Sequence, residues 1–312
     1  MAKRLKKPYR SGYLKVSGGH EFYYEACGNP RGKPVLFLHG GPGAGFSDTD
    51  KRFFDLKKWN LILFDQRGAG RSRPFASIHE NNTQRLVKDI DSILDLFELK
   101  KVFLFGGSWG STLSLAYAVK NAKRVTGMLL RGIYLATKEE KDYFVGGGAK
   151  AFFPEAWERF ISLVPESKRG QLIEYYLKKM LSGDSHTRDK FAYEWARYEI
   201  SLLKLRMNEK MIEGFLSDLS YRSLAPLEAQ YMAHNCFLPD GYLLANAHKL
   251  SRIPVSIVQG RYDFICPPVW ALRLHRQIKG SALHFVTAGH SSSESEIEKK
   301  LIKETERMHK LV

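Results

Sequence analysis

The chain has 312 residues, of which 44% are hydrophobic and 26% are charged, the composition of an ordinary globular protein. This length predicts one large hydrophobic core with an insertion or a small second domain. The 49 Lys and Arg residues outnumber the 33 Asp and Glu residues, with the densest runs at 3–10 and 299–310. Because the basic residues are otherwise dispersed, we expect a solvated basic surface and no dedicated nucleic-acid-binding face.

The three cysteines, Cys27, Cys236 and Cys266, lie far apart and form no C-x-x-C pair. This spacing excludes a zinc motif and a dense disulfide framework, and it is typical of a reducing compartment. No apolar segment follows the basic start, and no apolar run is long enough to span a bilayer. We therefore expect a cytoplasmic protein that does not insert into a membrane.

Six nearly continuous apolar runs occur along the chain, and several of them end in a glycine-containing turn. They cover 34–40, 61–68, 101–107, 127–135, 253–263 and 281–290. Such runs are typical of strands buried on both faces of a parallel sheet. Residues 83–100 carry apolar residues at helical spacing, and a second helical pattern follows the third run. The alternation of strands and helices predicts an α/β fold with a mostly parallel sheet and helices on both faces.

The segment 136–248 breaks this alternation. It is helical in period, rich in aromatic and charged residues, and contains no unit of a strand followed by a glycine turn. We interpret it as a helical cap inserted into a core that is formed by residues 1–135 and 249–312. A cap between two strands of the sheet is well placed to cover their carboxyl ends.

The stretch Gly106-Gly107-Ser108-Trp109-Gly110 fits the pattern G-x-S-x-G. Alone, the pattern is compatible with an ordinary glycine-rich turn. Here it lies between a predicted strand and a predicted helix, where a sharp turn needs small residues on both sides and exposes the serine hydroxyl. This context favours Ser108 as a nucleophile.

A serine nucleophile needs a base and an acid that orients the base. In this fold they follow the serine in the chain, first the acid and then the histidine, each after a strand. Asp263 ends the run VQGRYD, and His290 ends HFVTAGH. His284 lies within a predicted strand and the other candidate histidines follow no strand end, so we interpret them as surface or packing residues.

The oxyanion that forms on attack needs preorganised N–H donors. The loop HGGPGAG at 39–45 follows the first apolar run, and we predict that the N–H groups of Gly41 and Trp109 serve as donors. Neither G-x-G-x-x-G nor the P-loop pattern fits this loop, which disfavours a phosphate site. In a second loop, DQRGAGRS, we expect Asp65 and Arg67 to form structural ion pairs that support the oxyanion loop.

Several segments together closely resemble the prolyl aminopeptidases, or proline iminopeptidases, of the α/β-hydrolase superfamily. They are HGGPG, DQRGAGRS, GGSWGSTLSLAYA, LLRGIYL and VQGRYDFICP with AGHS, and the resemblance covers nearly the whole chain. It implies release of an N-terminal proline from peptides, without a metal or cofactor. By motif, Ser108, Asp263 and His290 match the family's nucleophile, acid and base.

The resemblance also implies a site in the cap for the substrate's free amine. Glu199 ends a W-x-x-Y-E stretch where relatives have W-x-x-W-E, and Glu228 matches a second family glutamate. Paired carboxylates in a low-dielectric pocket bind a cationic amine. Without the resemblance, either residue reads as a solvated glutamate on a helix. The family pattern places Tyr134 and Phe144 around the proline ring and Arg131 near that pocket.

Two departures surround the second glutamate: Pro226 stands for an arginine and Met232 for a phenylalanine of the family pattern. A flexible thioether selects shape less strictly than a flat ring, so we expect a looser preference for proline. Two other functions stay open. One is an esterase, amidase or broader aminopeptidase of the same fold. The other is a non-catalytic protein that binds nucleic acid or membranes through its charge of +16, against which the complete triad argues.

Overall fold

The computed structural model describes residues 7–312, so most of the basic run at 3–10 lies outside the described part. Within that part, one eight-stranded sheet organises the molecule. Its strands are β1 (Arg10–Lys15), β2 (Glu21–Gly28), β3 (Lys33–Leu38), β4 (Trp59–Phe64), β5 (Val102–Ser108), β6 (Val125–Ile133), β7 (Val255–Gly260) and β8 (Ala282–Val286).

The sheet order is β1-β2-β4-β3-β5-β6-β7-β8. The first two strands pair antiparallel with each other, and β2 pairs antiparallel with β4, whereas all other neighbours are parallel. The six parallel strands are those that the apolar runs predict, and the predicted α/β fold is confirmed. The carboxyl ends of these strands lie at one edge of the sheet, where sites of open α/β sheets form.

The sequence did not predict β1 and β2. Both precede the parallel part, and the edge strand β1 carries exposed or half-buried residues throughout. The rule of unbroken apolar runs applies to strands covered on both faces, so it does not detect a solvated edge strand.

Eleven helices are present in residues 7–312: α1 (Thr83–Leu96), α2 (Trp109–Asn121), α3 (Lys138–Val145), α4 (Pro154–Ser162), α5 (Leu172–Met180), α6 (Ser185–Ser201), α7 (Glu209–Leu216), α8 (Tyr221–Ala233), α9 (Tyr242–Asn246), α10 (Pro268–Gln277) and α11 (Ser295–Leu311). Of these, α1, α2 and α10 pack on one face of the sheet and α11 on the other. Successive strand residues alternate between the two cores: Leu36 and Leu104 face the first, and Val35 and Phe103 face the second.

The helices α3–α8, called the cap below, form a third hydrophobic cluster, separate from the two cores of the sheet. Its centre is aromatic, with the rings of Phe160 and Tyr198 stacked at a centroid distance of 4.5 Å. Leu243 and Leu250, near the end of the predicted cap, belong instead to the core beneath α2. The division at 136 and 248 stays a prediction. Among residues 7–312, no helix combines the length and the apolar character needed to cross a bilayer.

Candidate active site

The turn that carries Ser108 connects β5 to α2. Ser108 has φ 56° and ψ −127°, a conformation that non-glycine residues rarely adopt. The flanking glycines are required by space, because a Cβ on Gly106 would collide with the carbonyl of Gly110, and one on Gly110 with the carbonyl of Leu38. The turn leaves Ser108 half-buried at the carboxyl end of the sheet, next to the unpaired N–H groups that open a helix.

Asp263 and His290 lie in the loops after β7 and β8, and both are buried. Nδ1 of His290 lies 2.8 Å from one carboxylate oxygen of Asp263. Gln259 donates to that same oxygen, and the N–H groups of Ile265 and Cys266 donate to the other. Four hydrogen bonds thus fix the carboxylate and, through it, the orientation of the imidazole.

The other imidazole nitrogen, Nε2 of His290, faces away from Asp263 and contacts Arg131. Nη1 of Arg131 lies 3.0 Å from this nitrogen and donates to the carbonyl oxygen of His290 at 2.9 Å. Arg131 reaches this position because it pairs with Gly107 in the sheet, where a Cβ would collide with the guanidinium. Burial lowers the pKa of Arg131, and the charge of Asp263 opposes that shift.

The HGGPGAG loop lies beside the nucleophile. A Cβ on Gly40 would be 3.6 Å from Cβ of Ser108. Gln66 joins the two: its backbone N–H donates to Nε2 of His39 at 2.9 Å, and its side-chain oxygen accepts from Nε1 of Trp109 at 2.8 Å. Gly41 has φ 105°, where a side chain would be strained. This network links the loop that contains Gly41 to the side chain of Trp109, the two predicted oxyanion donors.

Asp65 and Arg67 take part in two separate ion pairs, of which only the pair of Arg67 is buried on both sides. Asp65 pairs with Arg71 at 2.7 Å and accepts the N–H of Phe46 at 2.8 Å, so it anchors the end of the oxyanion loop. Arg67 forms a bidentate pair with Asp89 at 2.6 and 2.7 Å. Asp65 therefore contacts the oxyanion loop directly, whereas Arg67 binds Asp89 of α1.

A cleft of about 280 Å³ opens above Ser108. His290 and Arg131 line it from the sheet, and Glu199 lines it from α6 of the cap. The structure thus brings the predicted nucleophile, base and one predicted amine ligand into one cavity.

Glu199 of α6 and Glu228 of α8 are neighbouring carboxyl groups, each of which affects the ionisation of the other. Nε1 of Trp195 donates to Glu228 at 2.7 Å and fixes its orientation. Burial raises the pKa of Glu199 to about 7. Burial and the neighbouring charge of Glu199 also raise the pKa of Glu228 well above its usual range. Two neighbouring carboxylates repel each other when both are ionised, and a cation between them would relieve that repulsion.

Comparison with known proteins assigns the chain to a family. Residues 33–296 match the α/β hydrolase fold family. The chain is 42% identical over 309 residues to a proline iminopeptidase of Arabidopsis thaliana, covering 98% of this chain and 81% of the relative. It is 42% identical over 302 residues to a probable proline iminopeptidase of Leptolyngbya boryana, covering 96% and 94%. A proline iminopeptidase of Neisseria meningitidis is 40% identical over 288 residues, covering 92% of each chain. The chain belongs to the proline iminopeptidase family.

Solved structures share only the fold. An esterase from Exiguobacterium antarcticum matches with a TM-score of 0.68 at 18% identity, covering 96% of this chain and 100% of the esterase. An esterase from Rhodococcus sp. matches with a TM-score of 0.63 at 18% identity, covering 97% and 99%. The predicted resemblance to proline iminopeptidases is confirmed by the sequence relatives.

The two aromatic residues that the iminopeptidase pattern places around proline do not line the cleft that contains Ser108. Tyr134 is directed toward the thiol of Cys236, with 3.5 Å between oxygen and sulfur, and Phe144 is buried in the cap cluster. The apolar walls are provided by residues that the sequence did not single out. They are Phe37, Phe53, Phe105, Ile200, Leu203, Phe215 and Leu224. Their sequence signal is weak, because Phe37 and Phe105 lie in ordinary apolar runs and the others belong to no motif.

The departures around the two glutamates of this family member have structural consequences of different size. Tyr198, in place of tryptophan, packs against Phe160 and donates its hydroxyl to the carbonyl of Phe144 at 2.9 Å. Met232 is buried in the same cluster, and Pro226 lies inside α8. The aromatic wall is thus retained at Tyr198, while Met232 adds a flexible side chain to the packing behind Glu228.

Proposed function

We propose that this hydrolase releases N-terminal proline from peptides, with Ser108, His290 and Asp263 as its catalytic triad. Membership of the proline iminopeptidase family supports the reaction. The hydrogen bond between His290 and Asp263, and the strained turn at Ser108, support the assignment of the residues.

In this mechanism Oγ of Ser108 attacks the carbonyl carbon of the first residue while its proton passes to Nε2 of His290. Arg131 must first give up its hydrogen bond to that nitrogen. The negative charge on the carbonyl oxygen is held by the N–H groups of Gly41 and Trp109. His290 then donates the proton to the leaving amine, the C–N bond breaks, and water hydrolyses the prolyl ester of Ser108.

The observation that carries the substrate assignment is the carboxyl pair Glu199 and Glu228. Glu199 lines the same cavity as Ser108, and its neighbour Glu228 is buried beside it. A cationic amine between them makes charge-assisted hydrogen bonds and allows both carboxyls to ionise. The free amine and the scissile carbonyl belong to the same N-terminal residue. A site that binds the amine near Ser108 therefore favours removal of a single residue from peptides with a free amine.

The test is a panel of chromogenic aminoacyl anilides measured with the wild type and Ser108→Ala. We expect the prolyl substrate to exceed the alanyl substrate in kcat/KM, and Ser108→Ala to lose at least about a thousandfold in kcat. Equal turnover of prolyl and alanyl substrates would refute the proline preference, and an active Ser108→Ala variant would refute the mechanism.

A neutral ester separates this function from a drifted esterase. Glu199→Gln and Glu228→Gln should lower kcat/KM for the prolyl anilide by about a hundredfold, since each loses a charged contact to the amine. The same variants should hydrolyse a neutral nitrophenyl ester within about threefold of wild type, because the triad is unchanged. If kcat/KM falls equally for both substrates, the glutamates do not bind the amine, and the result favours an esterase function. The cytoplasmic location stays a prediction.

A further inference from the structure

A seam of backbone hydrogen bonds joins the loop of His290 to the cap. The loop lies between β8 and α11, and its partner is the segment 203–205 that follows α6. The N–H groups of His290 and Ser291 both donate to the carbonyl oxygen of Leu203, at 3.0 and 2.9 Å. The catalytic base is thereby held by the cap as well as by Asp263.

The side chain of Glu294 spans this seam. One carboxylate oxygen accepts the N–H of Gly289 at 2.9 Å, on the side of the histidine loop. The other accepts the N–H of Leu205 at 3.0 Å, on the side of the cap. A carboxylate accepts from backbone N–H groups more strongly than a neutral oxygen does, so one side chain fastens both strands of the seam.

The backbones on the two sides of the seam are in close contact. A Cβ on Gly289 would lie 2.8 Å from the backbone nitrogen of Leu205 and 3.1 Å from the carboxylate of Glu294. On its other side, Gly289 packs against Gly260 of β7, and a Cβ on Gly260 would collide with the carbonyl of Gly289. The histidine loop is therefore clamped between the sheet and the cap.

The cap side of the seam begins one helical turn after Glu199. The N–H of Leu202 donates to the carbonyl of Glu199 at 3.0 Å, and that of Leu203 to the carbonyl of Ile200 at 3.1 Å. A displacement of the end of α6 therefore moves Glu199 and the carbonyl that supports His290 together. Residues in one rigid, hydrogen-bonded unit share their position more precisely than residues on separate loops.

We propose that Glu294 is a positioning residue that fixes the distance between the amine site at Glu199 and the base at His290. The proposal rests on the proposed function for its kinetic consequence, because only a substrate held by its amine depends on that distance. Glu294 touches neither the substrate nor the reacting atoms, and it acts through the two loops that it joins.

A first experiment measures the seam without any turnover, by hydrogen–deuterium exchange of Glu294→Ala. We expect the amides of 203–205 and of 289–291 to exchange about tenfold faster or more, since two charge-assisted hydrogen bonds are lost. Glu296→Ala, at an exposed position in the first turn of α11, is the matched control and should leave both segments unchanged. Unchanged exchange at 203–205 in Glu294→Ala would overturn the proposal.

A second experiment compares kcat and KM for the prolyl anilide and a neutral nitrophenyl ester. Glu294→Ala should lower kcat for the anilide by about ten- to a hundredfold, with KM within about threefold, because the base is displaced relative to a bound amine. Turnover of the ester should fall by less than about threefold, since it is not held by the glutamates. Glu294→Gln keeps one acceptor oxygen and should recover part of the loss.

The outcomes separate the inference from the proposed function. Equal losses on anilide and ester would mean that Glu294 only supports the loop, and the coupling between the two sites would be refuted. A wild type without prolyl activity, combined with faster exchange on both sides of the seam in Glu294→Ala, would refute the proposed function and support the seam.

Discussion

Nη1 of Arg131 lies 3.0 Å from Nε2 of His290, at the nitrogen that accepts the proton of Ser108 in the proposed mechanism. The resting site therefore holds its base in a hydrogen bond that competes with the serine. Arg131→Met removes this competition, while His290 keeps Asp263 and the carbonyl of Leu203 as partners. We expect a sulfonyl fluoride, which reacts with the serine but needs no amine site, to inactivate the variant about three- to tenfold faster than the wild type, the effect of one hydrogen bond. Slower inactivation would show that Arg131 supports the base instead of restraining it.

The acidity of the carboxyl pair predicts how activity depends on pH. The pKa of Glu199 is raised to about 7, so Glu199 keeps its proton below that value and binds the substrate's cation weakly. As pH rises through about 7 Glu199 ionises, and kcat/KM for the prolyl anilide should rise. The neutral ester should not show this limb, because it makes no contact with the pair. Identical pH profiles for the two substrates would contradict the assignment.

The same shift predicts a cost in stability. Because the folded state holds protons on Glu199 and Glu228 that the unfolded chain releases near pH 4.5, the free energy of unfolding falls as pH rises from there through the raised pKa values. Glu228→Gln removes a buried carboxyl that must ionise, while its amide oxygen can still accept from Trp195. We expect a Tm at pH 8 above that of the wild type by about 1 to 2 °C, the effect of roughly 1 kcal/mol when the entropy of unfolding is about 2.1 cal/mol/K per residue.

At pH 5 the difference in Tm should largely vanish, since the wild-type pair is then protonated. Glu155→Gln, an exposed carboxylate on α4, serves as the control and should leave Tm unchanged at both values of pH. A gain that is the same at pH 5 and pH 8 would exclude ionisation as its cause.

The sequence predicted the parts of this molecule that depend on local pattern. Unbroken apolar runs identified the six parallel strands, and the steric need for glycine around Ser108 identified the nucleophile turn. The position of Arg131 depends on sheet register, which places it beside Gly107 on one side and Val258 on the other. The role of Glu294 also depends on tertiary structure, because its two acceptor contacts join Leu205 and Gly289, which are 84 positions apart in the chain (289 − 205 = 84). Periodicity carries no information about such a pairing, and the apolar cleft walls were missed for the same reason.

Gly132 tests how closely the triad is packed. It has φ 55°, and a Cβ there would lie 2.9 Å from Cε1 and 3.1 Å from Nδ1 of His290. Gly132→Ala must therefore push the imidazole away from Asp263 or strain the end of β6. We expect kcat for the prolyl anilide and for the neutral ester to fall together by about a hundredfold, because both reactions use the same base. Circular dichroism should remain that of the wild type, and Gly241→Ala, at a positive φ with open space around it, controls for backbone strain alone. A Gly132→Ala variant with wild-type kcat would show that the reaction does not depend on the position of this imidazole, which would contradict the role of His290 as the base.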